Sequence, residues 1–254
     1  TNMVANESFI DSATLRENVV ALARNVGYIP SSRRASTANV SFTVDLGSGT
    51  SKSSVTLKAG LVALGDFANT NYTFCVPEDI TSPVSDGFAE FTIDIKQGTF
   101  VTNEFVVDTS QPNQKFIIPN PYVDTSTLKV QVRDTLTSSS RKTYSQIDNI
   151  VGISTHSETF LIQEIQDEKY ELLFGDGVLG KRLSNGNVIN STYIVTDGVG
   201  GNGVSNFSFA GKLIDNDGGL ITSGISGVIT NERSSNGAEV ESIDTIRNLS
   251  TRVY

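Results

Sequence analysis

The 254-residue chain carries 19 basic and 28 acidic residues, a formal charge of −9, which argues against a nucleic-acid-coating surface or a polybasic membrane anchor. A single cysteine, Cys75, rules out an internal disulfide and a thiolate metal cluster, and a single histidine, His156, removes nearly every multi-histidine metal site. No stretch approaches the roughly 18 uninterrupted apolar residues that a membrane-crossing helix needs.

The opening Thr1-Asn2-Met3 has no basic start followed by an apolar run, so no secretory signal is expected, and the chain is expected to begin inside a longer protein. Next comes a helix. Thr14 and Glu17 have the spacing of a capping box, and Leu15, Val19, Leu22, Ala23 and Val26 recur as one apolar stripe. Gly27 suits a left-handed C-terminal cap and Pro30 stops continuation. This stripe fits two arrangements equally: packing on its own domain, or docking on a partner.

From Ala38 the period changes to two. Val40, Phe42 and Val44 alternate with polar residues, as do Tyr72, Phe74 and Val76, and then Phe91, Ile93 and Ile95. Shorter apolar runs lie at 55–57 and 61–64, Gly98 interrupts, and 100–107 and 115–118 complete a first β block closed by Pro119 and Pro121. A second block holds Leu128, Val130 and Val132, a hairpin-like pair of runs at 160–165 and 170–174, and a strand at 188–196 after an Asn185-Gly186 turn. The glycines from Gly198 to Gly227 predict a flexible connector or long loop. Ile243, Ile246 and Leu249 then share one side of a final helix, with Glu239 and Glu241 near its start.

The expected class is mainly β (α+β overall), with antiparallel β-sandwich-like blocks between an N-terminal and a C-terminal helix. The expected divisions are 1–38 for the helical segment, 39–121 and 122–212 for the two β blocks, and 213–254 for the connector and last helix.

Several motifs invite chemistry. Gly175-Asp176-Gly177-Val178-Leu179-Gly180 matches a dinucleotide fingerprint, with Asp197 beyond it, but that mechanism needs a helix to start at the loop. Lys181 to Gly186 ends in an Asn-Gly turn, so a glycine-rich β-turn is expected. Asp215-Asn216-Asp217-Gly218 resembles part of a calcium loop, yet position twelve is Ser226 rather than a bidentate Glu. His156 has no G-x-S-x-G partner motif, and Cys75 sits inside an alternating strand. Without Trp, the aromatic platforms of a carbohydrate-cleaving groove are missing. No catalytic residue, cofactor, metal or small-molecule substrate is expected.

Two stretches and a tail carry a family resemblance. Glu7-Ser8-Phe9-Ile10, Leu15 to Val20 and Asn25 to Ser32 resemble the N-terminal helix of the baseplate wedge proteins of T-even-type contractile-tailed phages. Phe174, Gly175, Asp176, Gly177 and Gly180, followed by a strand with Tyr193 and then by Gly201 and Asn202, resemble the signature turn of the baseplate J-like family. Gly237-Ala238-Glu239 and Ile243 to Arg247 are similar to the acidic helix start next in order in these proteins. The resemblance covers the chain in order, except that residues 65 to 158 match only in β character. It implies a structural subunit of the virion tail baseplate, assembled in the bacterial cytoplasm, that pairs with itself and binds other wedge proteins in a ring around the tail hub. It also implies a part in transmitting the sheath-contraction signal, with no nucleic-acid or membrane partner. An equivalent subunit of a phage-like injection machine shares these features, and a receptor-binding module of a tail fibre is a rival from another class.

Overall fold

A computed structural model gives the fold and describes residues 7–148 and 152–252. The chain is mainly β, with two antiparallel sheets and one helix at each end. The first sheet is built from β1 (Thr37–Asp45), β2 (Ser54–Leu57), β3 (Gly60–Phe67), β4 (Thr70–Val76), β5 (Ile80–Ser85) and β6 (Phe88–Gln97). The second takes β7 (Thr99–Val106), β8 (Phe116–Ile118), β9 (Val123–Arg133), β10 (Lys142–Gln146), β11 (Thr159–Glu164), β12 (Tyr170–Phe174) and β13 (Val188–Val195). The chain then returns to the first sheet through β14 (Phe207–Phe209), β15 (Leu213–Asp215), β16 (Leu220–Ile221) and β17 (Ile229–Ser235). Among the described strands, only β10 and β11 pair in parallel, over two residue pairs.

The alternating runs do what their period requires. Ala38, Val40, Phe42 and Val44 of β1 are buried opposite Ile95, Ile93, Phe91 and Ala89 of β6, and Phe42 stacks on Phe91 at 4.9 Å between ring centroids. Asn39, Ser41 and Thr43 point the other way, and Asn39 reaches Asp94 across the strands at 2.7 Å. The second core gathers aromatic edges: Phe174 meets Phe116, Tyr144 and Phe160. The expected hairpin forms, with Phe160 opposite Phe174.

Sheet membership departs from the expected block boundaries in two places. The change of sheet falls at Gly98, not at 121, so the run at 100–107 belongs to the second sheet as β7. The expected flexible connector contains three strands of the first sheet: β15 pairs with β2, β16 with β15, and β17 with β1. Its glycines serve as turn residues. Gly218 has φ +83° in the β15–β16 turn, and Gly224, at φ +76°, accepts a hydrogen bond from the Asp45 N–H.

The joint at Gly98 admits no side chain. Its φ is +136°, and a Cβ there would lie 2.3 Å from the Val195 carbonyl oxygen and 2.6 Å from Ile194 Cγ2. Its N–H donates to Thr73 O at 2.9 Å, while the Thr73 hydroxyl donates to Gly98 O at 3.0 Å. Beside it, Gln97 is 2% exposed and uses its whole amide: Oε1 accepts from Thr196 Oγ1 and Asp197 N, and Nε2 donates to Asp197 Oδ2. A buried amide is tolerated because every polar atom is paired.

The first helix, α1, spans Arg16–Asn25 and packs on the last, α2, Ile243–Ser250. The expected Thr14/Glu17 capping box does not form. Instead the Glu7 carboxylate accepts from the Thr14 N–H and hydroxyl, from Leu15 N and from Asn18 Nδ2. These donors stabilise the ionised form and hold the Glu7 carboxyl near a pKa of about 2, the Asn18 amide contributing most. Thr14 is a donor to this upstream carboxylate, so the cap comes from outside the helix. Among the described residues, no helix is long and apolar enough to cross a membrane.

Candidate functional site

Three groups of residues stand out on sequence grounds: the helix stripe, the signature turn, and the Gly201-Asn202 pair. The structure puts each in a different place.

Val19 and Ala23 of the stripe are fully buried, and with Val20 and Ala13 they enclose Ile246 of α2. Leu22 packs half-buried against the same cluster, Val26 is half-buried, and Leu15 remains 43% exposed. Most of the stripe is therefore covered from within the chain. The helix pair is tied to the second sheet by Arg16, whose guanidinium makes a two-pronged pair with Glu164 at 2.5 and 3.1 Å and donates to Glu241 O. Tyr28 donates its hydroxyl to Glu241 at 2.5 Å. Arg33 anchors the adjoining segment: it lies 4.3 Å from the Tyr122 ring centroid and pairs with Glu239 at 2.6 Å.

The signature turn leaves the end of β12. Phe174 points into the aromatic cluster, and Gly175 lies so close to Gly180 that a Cβ on Gly175 would meet the Gly180 carbonyl carbon at 2.2 Å. Gly177 and Gly180 have φ of +93° and +84°, a region that favours glycine. Asp176 Oδ1 accepts from the N–H groups of Leu179 and Val178, and these bonds lower its pKa. Gly177 N donates to Gly180 O, and Gly180 N to Ser154 O. Gly175 then forms a bridge with Arg182, and the turn at Asn185-Gly186 comes next. No helix begins at this loop among the described residues, so the dipole and free N–H groups that would hold a pyrophosphate are missing.

Gly201 and Asn202 sit at the joint between the sheets. Gly201 O accepts from the hydroxyls of Ser36 and Ser234 at 2.8 and 2.6 Å, and a Cβ on Gly201 would lie 2.6 Å from Ser36 Oγ. The Asn202 side chain exchanges two bonds with the Gly237 backbone, accepting from its N–H at 2.9 Å and donating to its carbonyl at 3.1 Å. In this way the Gly-Asn pair fixes the return of the chain after β17. Both motif halves shape the backbone path.

The remaining candidates are occupied by structure. Lys52 Nζ sits between Asp215 and Asp217 at 2.8 and 2.7 Å, where a calcium ion would need their oxygens, and this amine lowers the Asp215 pKa. His156 is exposed and its Nδ1 meets the neighbouring Thr155 hydroxyl. Cys75 is 1% exposed, and burial pushes its thiol up to about 12, well away from a nucleophilic thiolate. Among the described residues, no group of three or more His, Cys, Asp or Glu side chains could hold a metal.

Arg33, Gln97 and Asp124 carry no signal in the sequence, and Arg16 is legible there only as part of the family-like string at the helix start. Asp124 is 1% exposed and accepts from Ala35 N and from both the N–H and hydroxyl of Ser126. Each is an isolated polar residue whose partners are mostly distant in sequence, so no spacing announces it.

No family model matches the chain. Among curated proteins it is similar to the baseplate wedge protein gp6 of Enterobacteria phage T4, with 27% identity over 84% of this chain. The match takes in 34% of that protein, so the chain spans about a third of the length of the relative it resembles.

Proposed function

We propose that this chain is part of a structural subunit of a contractile-tail baseplate, working by contact and not by catalysis. In this reading it pairs with itself and with other wedge proteins, helps close the ring around the tail hub, and relays the sheath-contraction signal. The observation that carries the reading is the match to the T4 wedge protein along most of this chain. Phe174, Gly175, Asp176, Gly177 and Gly180 spend their hydrogen bonds and close approaches on the turn itself. Gly201 and Asn202 spend theirs on locking the two sheets' connecting segments. In a symmetric ring many modest interfaces add, so a chain whose motif residues only shape its own backbone can serve such an assembly.

The reading is tested by a nonsense codon placed in the reading frame ahead of Glu7, with particles scored by negative-stain electron microscopy. The expected result is tails without a complete baseplate, restored when the wild-type protein is supplied. Normal, contractile tails from the nonsense variant would refute it.

A further inference from the structure

The helix pair stands on two chain segments that run side by side. Residues 26–36 lead from α1 to β1, and residues 236–242 lead from β17 to α2. They carry the β1–β17 pairing on past Thr37 and Ser235, through a bridge between Arg34 and Ala238. The base of this stalk is fixed. Ser32 Oγ accepts from the N–H and hydroxyl of Thr125, Ala35 N donates to Asp124, and Asn202 clasps the Gly237 backbone.

Above the base, the bonds close within the helix pair itself. The Glu241 carboxylate accepts from the Tyr28 hydroxyl and from Ser31 N, while Glu241 N donates to Ser31 O. Arg247 of α2 donates to the carbonyls of Ile10 and Ala13, which ties α2 to the segment ahead of α1. The apolar cluster around Ile246 is separate from the core of the second sheet. Both helices and the top of the stalk therefore make one body.

The contact between that body and the second sheet is thin. Arg16, Val20 and Arg24, spaced four apart, form the side of α1 turned to the sheet, so two arginines flank one valine. Among the described residues, Arg16–Glu164 is the one ion pair between residues 7–31 or 241–252 and the second sheet. Beside it, Val20, Arg24 and Ile29 face Ile162, Glu164 and Tyr170 across a cavity of about 40 Å³. A space of that size has room for about two or three waters, so the two surfaces do not interdigitate there.

We infer that the α1–α2 pair is an arm that swings off the second sheet as one body, with Arg16–Glu164 as its latch. The turning point lies where Ser31 and Glu241 leave the fixed base. The Glu164 side chain is 6% exposed, so removing either partner leaves a buried charge uncompensated and favours the open arm. Opening uncovers Val20, Ile162 and Tyr170 and redirects both helices, while the two sheets keep their places. The motion belongs to the single chain and does not require the baseplate.

The test places nitroxide labels on the 254-residue chain and reads distances by pulsed electron paramagnetic resonance. Ala21, Ser145 and Asn248 are exposed, and the buried Cys75 stays unlabelled. Ala21→Cys with Asn248→Cys reports within the arm, and Ala21→Cys with Ser145→Cys reports from arm to sheet. Glu164→Gln is expected to add a longer arm-to-sheet component, its weight raised about tenfold or more, with the within-arm distance unchanged. Arg16→Gln approaches the same contact from the other side and should give the same shift. An arm-to-sheet distance unchanged in both variants would overturn the latch. Broadening of both distances would overturn the one-body movement, because the helices would then be separating. Loss of amide protection in β11 and β12 would also overturn it, since Arg16–Glu164 would then be holding the sheet itself.

Discussion

Gly98→Ala is expected to lower the stability of the chain by about 3 kcal/mol or more, seen as a fall in the urea midpoint. Two costs combine. Alanine at φ +136° is strained, and its Cβ would be driven into the Val195 carbonyl at 2.3 Å. Relief requires β6 and β7 to part from β13, which undoes the Gln97 amide pairing to Thr196 and Asp197. Ala89→Gly makes an informative comparison, since it sits buried in β6 away from the joint and lacks any clash. A variant Gly98→Ala as stable as wild type would mean that the sheets meet elsewhere.

The second large effect is expected at the helix pair. Val19→Asp places a carboxylate in a fully buried site against Ile246, with an expected cost of about 3 kcal/mol or more to the α1–α2 pairing. The pair has its own small core and is held to the second sheet largely by Arg16 and Glu164. Amide exchange should therefore quicken in both helices while the strands stay protected. Leu15→Asp separates stability from docking, because Leu15 is already exposed and its loss should leave exchange unchanged. Failure of Leu15→Asp to co-purify with the proposed wedge partners would assign partner contact to that end of the helix. Strand exchange rising along with the helices in Val19→Asp would show that the pair is not a separable unit.

Local pattern made much of this fold legible. The alternation at Val40, Phe42 and Val44 and at Phe91, Ile93 and Ile95 specifies strand and buried face together, because one face must leave water. The stripe from Val19 to Ala23 specifies a helix for the same reason. Those patterns do not carry the choice of neighbour. β17 shows no alternation, since most of its side chains are exposed, and it pairs with β1 some 190 residues away. β15 and β16 are too short to declare a period between glycines, so a segment rich in turns resembled a connector. The helix cap shows the same limit at short range: a fitting Thr14 was present, yet Glu7 supplies the acceptor.

The candidate site divides along the same line. Phe174 to Gly180 and Gly201-Asn202 could be singled out from their spacing and family resemblance. That Gly175 touches Gly180, or that Asn202 clasps Gly237, depends on contacts that spacing does not encode. The dinucleotide reading of the same glycines fails because a bridge at Arg182 and an Asn-Gly turn stand where a helix would have to begin.

The most direct test of a contact-based baseplate role is a reconstruction of the intact tail by electron cryomicroscopy. The two sheets and the α1–α2 pair are expected to fit density in the ring that encircles the tail hub, in several symmetry-related copies. Density for this chain at a fibre tip, or its absence from the particle, would contradict the account.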